Sequence, residues 1–269
     1  MTRTLLATPW VLTVLLAPLL VLLANSPSSA AIKKETVEYR HGGATLKGLL
    51  VYDDAAEGKR PGVLVFHEWW GLNDYPKRRA EQLAQLGYVA FAADMFGDGK
   101  TTEKPEEANN LATAIRGNTS LMRDRARAAF DQLRASPRVD PDRIAAIGYC
   151  FGGTVALELA RDGAPVDAVV AFHAGLKTEK PAARGTFPAK VLVLHGAADT
   201  LVPPDEVAAF EKEMKDAGVA YEIVAFPGAK HAFTNPDADK HGMPPIAYQK
   251  EADEKSWAAM KEFLAEVLK

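Results

Sequence analysis

The chain has 269 residues, of which 48% are hydrophobic and 25% are charged, a composition typical of a globular protein that can bury a full core. Its formal net charge of −3 at pH 7 gives no electrostatic reason to expect a nucleic-acid partner. The single cysteine, Cys150, excludes an intrachain disulfide and a thiolate metal cluster, so it is a core residue, a reactive thiol or an incidental residue.

The first thirty residues have the pattern of a targeting segment. Arg3 precedes an apolar run over residues 5–24, and small and polar residues follow over 25–30. We interpret this segment as a secretory signal peptide cleaved near Ala30. The alternative is an uncleaved membrane anchor, because the run is about long enough to cross a bilayer. Residues 31–269 are then expected to form one exported domain, periplasmic or secreted, with no membrane contact after cleavage.

Strands and helices are predicted to alternate along the rest of the chain. A hairpin over residues 37–52 comes first. Short apolar runs then predict buried strands at 63–67, 88–93, 144–148, 168–172, 191–194 and 221–226, and helical patterns occupy 74–86, 105–115, 121–133, 152–161, 205–217 and 251–268. Asp74 is the predicted cap of the first helix. This order predicts a three-layer α/β/α fold with a mostly parallel central sheet and ligand sites at the carboxyl ends of its strands.

The segment Gly148-Tyr149-Cys150-Phe151-Gly152 lies between a predicted buried strand and a predicted helix. This is the nucleophile-elbow pattern of α/β-hydrolases, with cysteine in the place of serine. The helix N-terminus favours a thiolate, and the backbone N–H of Phe151 would donate to a developing oxyanion. By itself the pattern leaves a core role and a catalytic role for Cys150 both open.

Two further residues follow predicted strands at the same edge of the sheet. Asp199 comes after the strand 191–194, and His231 comes after the strand 221–226. Nucleophile, acid and histidine is the chain order of an α/β-hydrolase triad. Taken singly, Asp199 reads as a turn or cap residue and His231 as a surface histidine; together with Cys150 they predict a triad. His231 would accept the thiol proton, Asp199 would orient its ring, and Cys150 would form a thioester.

The loop after the first buried strand carries His67-Glu68-Trp69-Trp70-Gly71. In α/β-hydrolases this loop donates the second backbone N–H of the oxyanion hole. A glutamate at the end of a buried strand needs a partner, and a structural reading pairs Glu68 with Arg78 or Arg79.

These motifs together resemble the dienelactone hydrolase (carboxymethylenebutenolidase) family of the α/β-hydrolase superfamily. The resemblance runs from about Thr36 to the C-terminus and rests on the segment 67–71, the elbow, the Asp199 loop and His231-Ala232-Phe233. It implies a cysteine-dependent hydrolase of small activated esters or lactones. It also implies that Glu68 contacts the resting thiol and that the Trp69 N–H completes the oxyanion hole with that of Phe151. A carboxylate beside the thiol would keep Cys150 neutral until substrate binds.

One position departs from the family pattern. The family places a carboxylate-binding arginine shortly after the catalytic histidine, and this chain has Asn235 there. Dienelactone itself is therefore not carried over as the substrate.

Three further residues are candidates for the substrate pocket: Trp70, His173 and Asn235. Core packing is an equal reading for Trp70, and a structural role is the alternative for His173. No nucleotide or metal motif occurs, so no cofactor is expected. The expected partner is a small-molecule ester or lactone, and a monomer is the expected state. A non-catalytic ligand-binding protein and an acyltransferase or thioesterase with the same triad remain alternatives.

Overall fold

A computed structural model of the chain describes residues 31–269, so the predicted signal peptide lies outside the described residues. The strands are β1 Ile32–His41, β2 Ala44–Asp53, β3 Arg60–Phe66, β4 Val89–Ala93, β5 Val139–Tyr149, β6 Ala168–Phe172, β7 Lys190–Gly196 and β8 Tyr221–Phe226. The α-helices are α1 Asp74–Gln85, α2 Pro105–Arg116, α3 Thr119–Arg134, α4 Phe151–Arg161, α5 Pro204–Ala217 and α6 Lys250–Val267. A short 3₁₀ helix spans Ala238–His241.

All eight strands belong to one sheet, in the order β1-β2-β4-β3-β5-β6-β7-β8. The hairpin of β1 and β2 is antiparallel and joins β4 in antiparallel fashion, whereas every pair from β4 to β8 is parallel. The carboxyl ends of β3, β5, β7 and β8 therefore lie at the same edge of the sheet. The predicted hydrolase fold, with its mostly parallel sheet and N-terminal hairpin, is confirmed.

Helices cover both faces of this sheet because the central strands are apolar on both sides. Leu64 and Phe66 of β3 pack in one core cluster with side chains of α3 and α4. Val63 and Val65, which point the other way, pack in a second cluster with side chains of α1 and α6. Alternate residues of one strand thus serve opposite layers, as the strand geometry requires.

The structure departs from the predicted elements mainly at their ends. Asn73, and not Asp74, caps α1, because its side chain accepts a hydrogen bond from the Tyr75 amide at 3.2 Å. Strand β5 begins at Val139, five residues before its predicted start. The 3₁₀ helix was not predicted. None of the helices between residues 31 and 269 is long and apolar enough to cross a membrane.

Candidate active site

Cys150 lies in a strained turn between β5 and α4. Its φ of 54° is in the left-handed region, where few residues other than glycine occur. Both flanking glycines are required by close backbone packing: a Cβ on Gly148 would lie 2.0 Å from the Gly152 carbonyl oxygen, and one on Gly152 would lie 2.2 Å from the Phe66 carbonyl oxygen. The Cys150 amide donates to the Phe172 carbonyl oxygen at 3.0 Å. This geometry is that of a nucleophile elbow.

Phe151 begins α4, so its backbone N–H belongs to the first turn, whose amides have no acceptor within the helix. Trp69 lies in the loop after β3, and the turn there is closed by the Gly71 amide, which donates to the Glu68 carbonyl oxygen at 3.2 Å. Both residues of the predicted oxyanion hole are therefore at the edge of the sheet that carries Cys150.

His231 and Asp199 lie in the loops that follow β8 and β7. His231 Nδ1 is 2.7 Å from Asp199 Oδ2, and both side chains are nearly buried. The other carboxylate oxygen of Asp199 accepts from the Leu201 amide at 2.9 Å, which fixes the orientation of the carboxylate. Because Nδ1 is taken by Asp199, Nε2 of His231 is the nitrogen that remains for a thiol. Within residues 31–269 it has no hydrogen-bond partner of normal geometry, so it is available to a group in the cavity.

Cys150 and His231 alter each other's ionisation. Burial disfavours a charge on either side chain, but the attraction between thiolate and imidazolium outweighs it. The pKa of the Cys150 thiol is consequently lowered, and that of His231 is raised, with the hydrogen bond to Asp199 adding to the rise. Arg116 also lowers the pKa of the thiol, whereas the carboxylate of Glu68 raises it. The two groups favour an ion pair.

Glu68 is buried, and its partner is not the one that a structural reading suggests. Glu68 Oε2 accepts a hydrogen bond from the Asn235 side-chain amide at 2.6 Å. The expected pairing with Arg78 or Arg79 is wrong, because Arg79 pairs with Asp253 instead. Burial raises the pKa of Glu68 to about 7, although the hydrogen bond from Asn235 acts in the opposite direction.

A cavity of about 710 Å³ adjoins Cys150. Glu68, Trp69, Trp70 and His231 line it, so the structure brings five of the predicted site residues, with Cys150, to one cavity. The side chains of Asp199 and Phe151 are not in the lining, and neither are His173 and Asn235. His173 is fully buried and its Nε2 lies 2.7 Å from the Thr234 hydroxyl oxygen, so it supports the loop that carries His231. Asn235 lies behind Glu68.

Sequence reasoning missed much of this cavity. Its remaining wall comes from helices and irregular segments, which carry no motif: Arg116, Thr119, Met122, Thr154, Glu158, Gly175, Lys177, Thr178, Glu179, Leu201, Val202, Glu206, Ala232, Met243 and Ile246. Leu201 is half exposed at the rim. Only their position in space, which depends on the whole fold, identifies these residues.

Two polar residues hold the loops around the site. The carboxylate of Asp94 accepts from the amides of Lys47, Phe96, Gly97 and Gly99 at 2.8 to 3.0 Å and so fixes the segment after β4. His67 bridges the same segment to the Glu68 loop, because its Nε2 accepts from the Met95 amide at 3.1 Å and its Nδ1 lies 2.6 Å from the Glu68 carbonyl oxygen. Its burial lowers the pKa of His67, so the ring is neutral.

In the part of the chain from residue 31 onward, no three histidine, cysteine or acidic side chains are grouped to hold a metal ion. The chemistry available at the site is that of a thiol, an imidazole, two carboxylates and backbone amides.

Comparison with known proteins shows the family to which the chain belongs. The model of the dienelactone hydrolase family matches residues 46–268. A protein named usf from Aquifex pyrophilus is 30% identical over 206 residues, which cover 75% of this chain and 87% of the relative. A carboxymethylenebutenolidase-named relative from Aquifex aeolicus has the same identity and coverage. The crystal structure of a dienelactone hydrolase-like promiscuous phosphotriesterase from metagenomic libraries is 39% identical, with a TM-score of 0.85 over 90% of this chain and 100% of that chain.

Proposed function

The chain belongs to the dienelactone hydrolase family and is a carboxymethylenebutenolidase-like hydrolase, and from this premise we propose that Cys150 is the nucleophile with which it cleaves small activated esters or lactones. The observation that carries the proposal is that the elbow thiol and a buried histidine line the same cavity and shift each other's pKa. The histidine is oriented by Asp199 at 2.7 Å, and the two charges stabilise each other.

The first half of the reaction forms a thioester. The thiolate of Cys150 attacks the substrate carbonyl carbon, and the electron pair of the C=O bond moves to oxygen. The backbone N–H groups of Phe151 and Trp69 donate to this oxyanion. When the C=O bond reforms, the bond to the leaving oxygen breaks, and His231 gives that oxygen its proton.

The second half releases the acid. His231, now neutral, accepts a proton from water as the water oxygen attacks the thioester carbon. Collapse of the second tetrahedral intermediate breaks the C–S bond and returns the thiolate, which pairs again with protonated His231. Asp199 keeps Nδ1 protonated throughout, so that Nε2 is the nitrogen that exchanges protons.

The nucleophile limits the substrates. A thiolate leaves a tetrahedral intermediate more readily than an alkoxide does, so the forward reaction needs a good leaving group. Enol lactones, phenyl esters and thioesters have one, whereas unactivated amides do not. Efficient cleavage of a plain peptide would contradict this assignment.

Glu68 acts on the thiol in the direction that the family resemblance implies, because its carboxylate raises the pKa of Cys150. The hydrogen bond from Asn235 holds the Glu68 side chain, and the attraction of His231 for the thiolate nevertheless lowers the pKa of Cys150. We infer that His231 promotes the thiolate without help from a substrate carboxylate. Substrates without a carboxylate should therefore be turned over.

The test is the hydrolysis of an activated phenyl ester by purified protein before and after treatment with iodoacetamide. Alkylation of Cys150, the only cysteine of the chain, should abolish turnover, and Cys150→Ala should lower kcat by at least about a thousandfold. A Cys150→Ala protein as fast as the parent would overturn the mechanism. Release of alcohol without acid in the presence of an added thiol or alcohol would indicate an acyltransferase, and binding without turnover would indicate a ligand-binding protein.

A second candidate activity is the hydrolysis of aryl phosphotriesters. The likeness to the promiscuous phosphotriesterase, which covers nearly the whole described chain, favours it. The same thiolate would attack phosphorus and expel the aryl oxide. Steady turnover that Cys150→Ala abolishes would support this activity, whereas one stoichiometric burst would mean inactivation and not catalysis.

We also propose that the protein is exported, on the evidence of residues 1–30. Mass spectrometry of the envelope and culture fractions should find a chain that begins near Ala31. An intact N-terminus would favour the membrane anchor.

A further inference from the structure

One wall of the cavity is an irregular segment, residues 175–182, which we call the wall segment. Four of its residues line the cavity: Gly175, Lys177, Thr178 and Glu179. The segment has no helix or strand, so its backbone polar groups have no partners in regular secondary structure. Its position must come from contacts with the rest of the molecule.

Charged side chains bind the carbonyl groups of the wall segment. The carbonyl oxygen of Leu176 accepts from the guanidinium of Arg161 at 2.9 Å. The carbonyl oxygen of Lys180 accepts from the guanidinium of Arg123, also at 2.9 Å. Each arginine comes from a helix beneath the segment, Arg123 from α3 and Arg161 from α4.

Carboxylates bind its amide groups. Glu206 accepts from the Leu176 amide at 2.6 Å, and Glu213 accepts from the Ala182 amide at 2.9 Å. Both acids lie on α5. The wall segment is therefore held by three helices through charged groups, at both donors and acceptors.

The same side chains form one nearly buried ion cluster. Glu158 accepts from Arg123 at 2.8 Å with one oxygen and from Arg161 at 3.0 Å with the other. Arg161 donates to both oxygens of Glu213, at 2.9 and 2.7 Å. The side chains of Arg123, Arg161, Glu158 and Glu213 are each at most 10% exposed. Geometry of this quality favours one arrangement of the helices and the segment over others.

We propose that Arg123, Arg161 and Glu213 are positioning residues that hold the wall segment and thereby set the preference of the cavity for substrates with a bulky acyl group. The inference rests on the proposed function, because it concerns the cavity that Cys150 adjoins. When these contacts are lost, the freed backbone groups form hydrogen bonds with water and the wall segment moves away from the cavity. A bulky group then loses part of its contact surface, whereas a small acyl group, which fills less of the cavity, is affected less.

The test compares Arg123→Met with Arg127→Met. Both arginines lie on α3 and both pair with Asp162, at 3.5 and 3.8 Å, but only Arg123 reaches the wall segment and Glu158. For Arg123→Met we expect kcat/KM of a phenyl naphthoate to fall about tenfold, mainly through KM, with that of phenyl acetate within about twofold. Arg127→Met should leave both values unchanged.

Alkylation of Cys150 gives a readout that does not need hydrolysis. The preference for a naphthyl-substituted iodoacetamide over iodoacetamide should fall in Arg123→Met and not in Arg127→Met. A loss of size preference in alkylation would support the wall proposal even if the ester mechanism failed. Normal ester turnover with an unchanged preference would overturn only the wall proposal.

Two further variants separate positioning from folding. Arg123→Lys keeps a positive charge for Glu158 but lacks the second arm that reaches the Lys180 carbonyl, so it should recover thermal stability and only part of the size preference. If Arg123→Met does not fold, Glu213→Gln is measured in its place, and it should show the same loss of preference for the bulky ester. An equal fall for both esters, or an unchanged ratio in folded Glu213→Gln, would contradict the proposal.

Discussion

Cys150 lies between two charged groups that act on its thiol in opposite directions. His231 lowers the pKa of Cys150 and Glu68 raises it, while burial alone would raise it as well. The fraction of thiolate at neutral pH therefore depends on both neighbours. A thiolate is the reactive form of cysteine, so the rate of alkylation reports this balance directly.

We expect His231→Ala and Glu68→Gln to move the alkylation profile of Cys150 in opposite directions. Without His231 only burial and Glu68 remain, so the midpoint of the iodoacetamide rate against pH should rise and the rate at pH 7 should fall at least about tenfold, equivalent to one pKa unit. Glu68→Gln removes a negative charge, so its midpoint should fall. His41→Ala is a suitable control, because His41 lies at the end of β1 beside Asp124 and does not line the cavity. Unchanged midpoints would mean that the ion pair is absent.

The buried carboxylate of Glu68 should also make stability depend on pH. Its pKa is raised from 4.5 to about 7 in the folded protein, so between these values the folded state binds more protons than the unfolded chain and stability falls as pH rises. The shift corresponds to about 3 kcal/mol of unfolding free energy, fully available below the lower value. Urea unfolding from pH 4 to 8 should show that Glu68→Gln loses less stability than the parent across this window. Parallel curves would show that the carboxylate titrates as it does in water.

The identity of the Glu68 partner could not be predicted from the sequence. Glu68 and Asn235 are 167 positions apart, and nothing in either local pattern indicates that they meet. Arg78 and Arg79, in the helix that follows, were the reasonable expectation, but Arg79 forms its ion pair with Asp253. Side-chain pairing across distant loops depends on packing that periodicity does not describe.

At the scale of elements, the turn from β5 into α4 depends on glycine more than on any side chain. Gly148→Ala would place its Cβ 2.0 Å from a backbone oxygen that cannot move without displacing α4. We expect the free energy of unfolding to fall by roughly 3 kcal/mol or more, and the thiol of Cys150 to lose its enhanced reactivity towards alkylating agents. Gly43→Ala, in the β1–β2 turn with no atom within 4 Å of its Cβ, should change stability by less than about 0.5 kcal/mol. Equal melting temperatures for the two variants would refute the role of close packing.

Element types were predictable because the apolar runs of this chain are short and regularly separated by turn residues. The ends of the elements were less predictable. Asp140-Pro141-Asp142 looks like a loop before β5, yet β5 begins at Val139 and a register shift against β3 accommodates the extra residues. The 3₁₀ helix Ala238–His241 has too few residues for any periodicity to appear. Both features depend on tertiary packing that overrides local preference.

For the whole molecule, the parallel sheet is what brings the site together. Glu68, Cys150, Asp199 and His231 follow β3, β5, β7 and β8, whose carboxyl ends share one edge. The meeting of these four residues at one edge could be predicted from chain order alone. The cavity wall could not be predicted, because it depends on the relative positions of α2, α3, α5 and the irregular segments between them.

One buried side chain joins the two helices on the second face of the sheet to the histidine loop. Arg79 of α1 donates to the Thr234 carbonyl oxygen at 2.8 Å, pairs with Asp253 of α6 and lies 5.0 Å from the centroid of the Trp257 ring. Thr234 in turn contacts Tyr75 and His173 through its hydroxyl, at 2.6 and 2.7 Å. Arg79 thus links α1, α6 and the loop that carries His231.

Arg79→Leu should therefore affect both stability and the site. It leaves the nearly buried carboxylate of Asp253 without its charged partner and with only the Tyr248 hydroxyl at 3.3 Å, which costs about 3 kcal/mol and lowers the melting temperature by roughly 10 °C. Because the Thr234 carbonyl is also released, His231 should be less well placed, and kcat for a phenyl ester should fall even at temperatures where the variant is fully folded. Arg78→Leu is the matched control, since the neighbouring Arg78 is exposed on the same helix. If Arg79→Leu loses stability but keeps its kcat, Arg79 only holds the two helices together. If neither stability nor kcat falls, Arg79 has neither role.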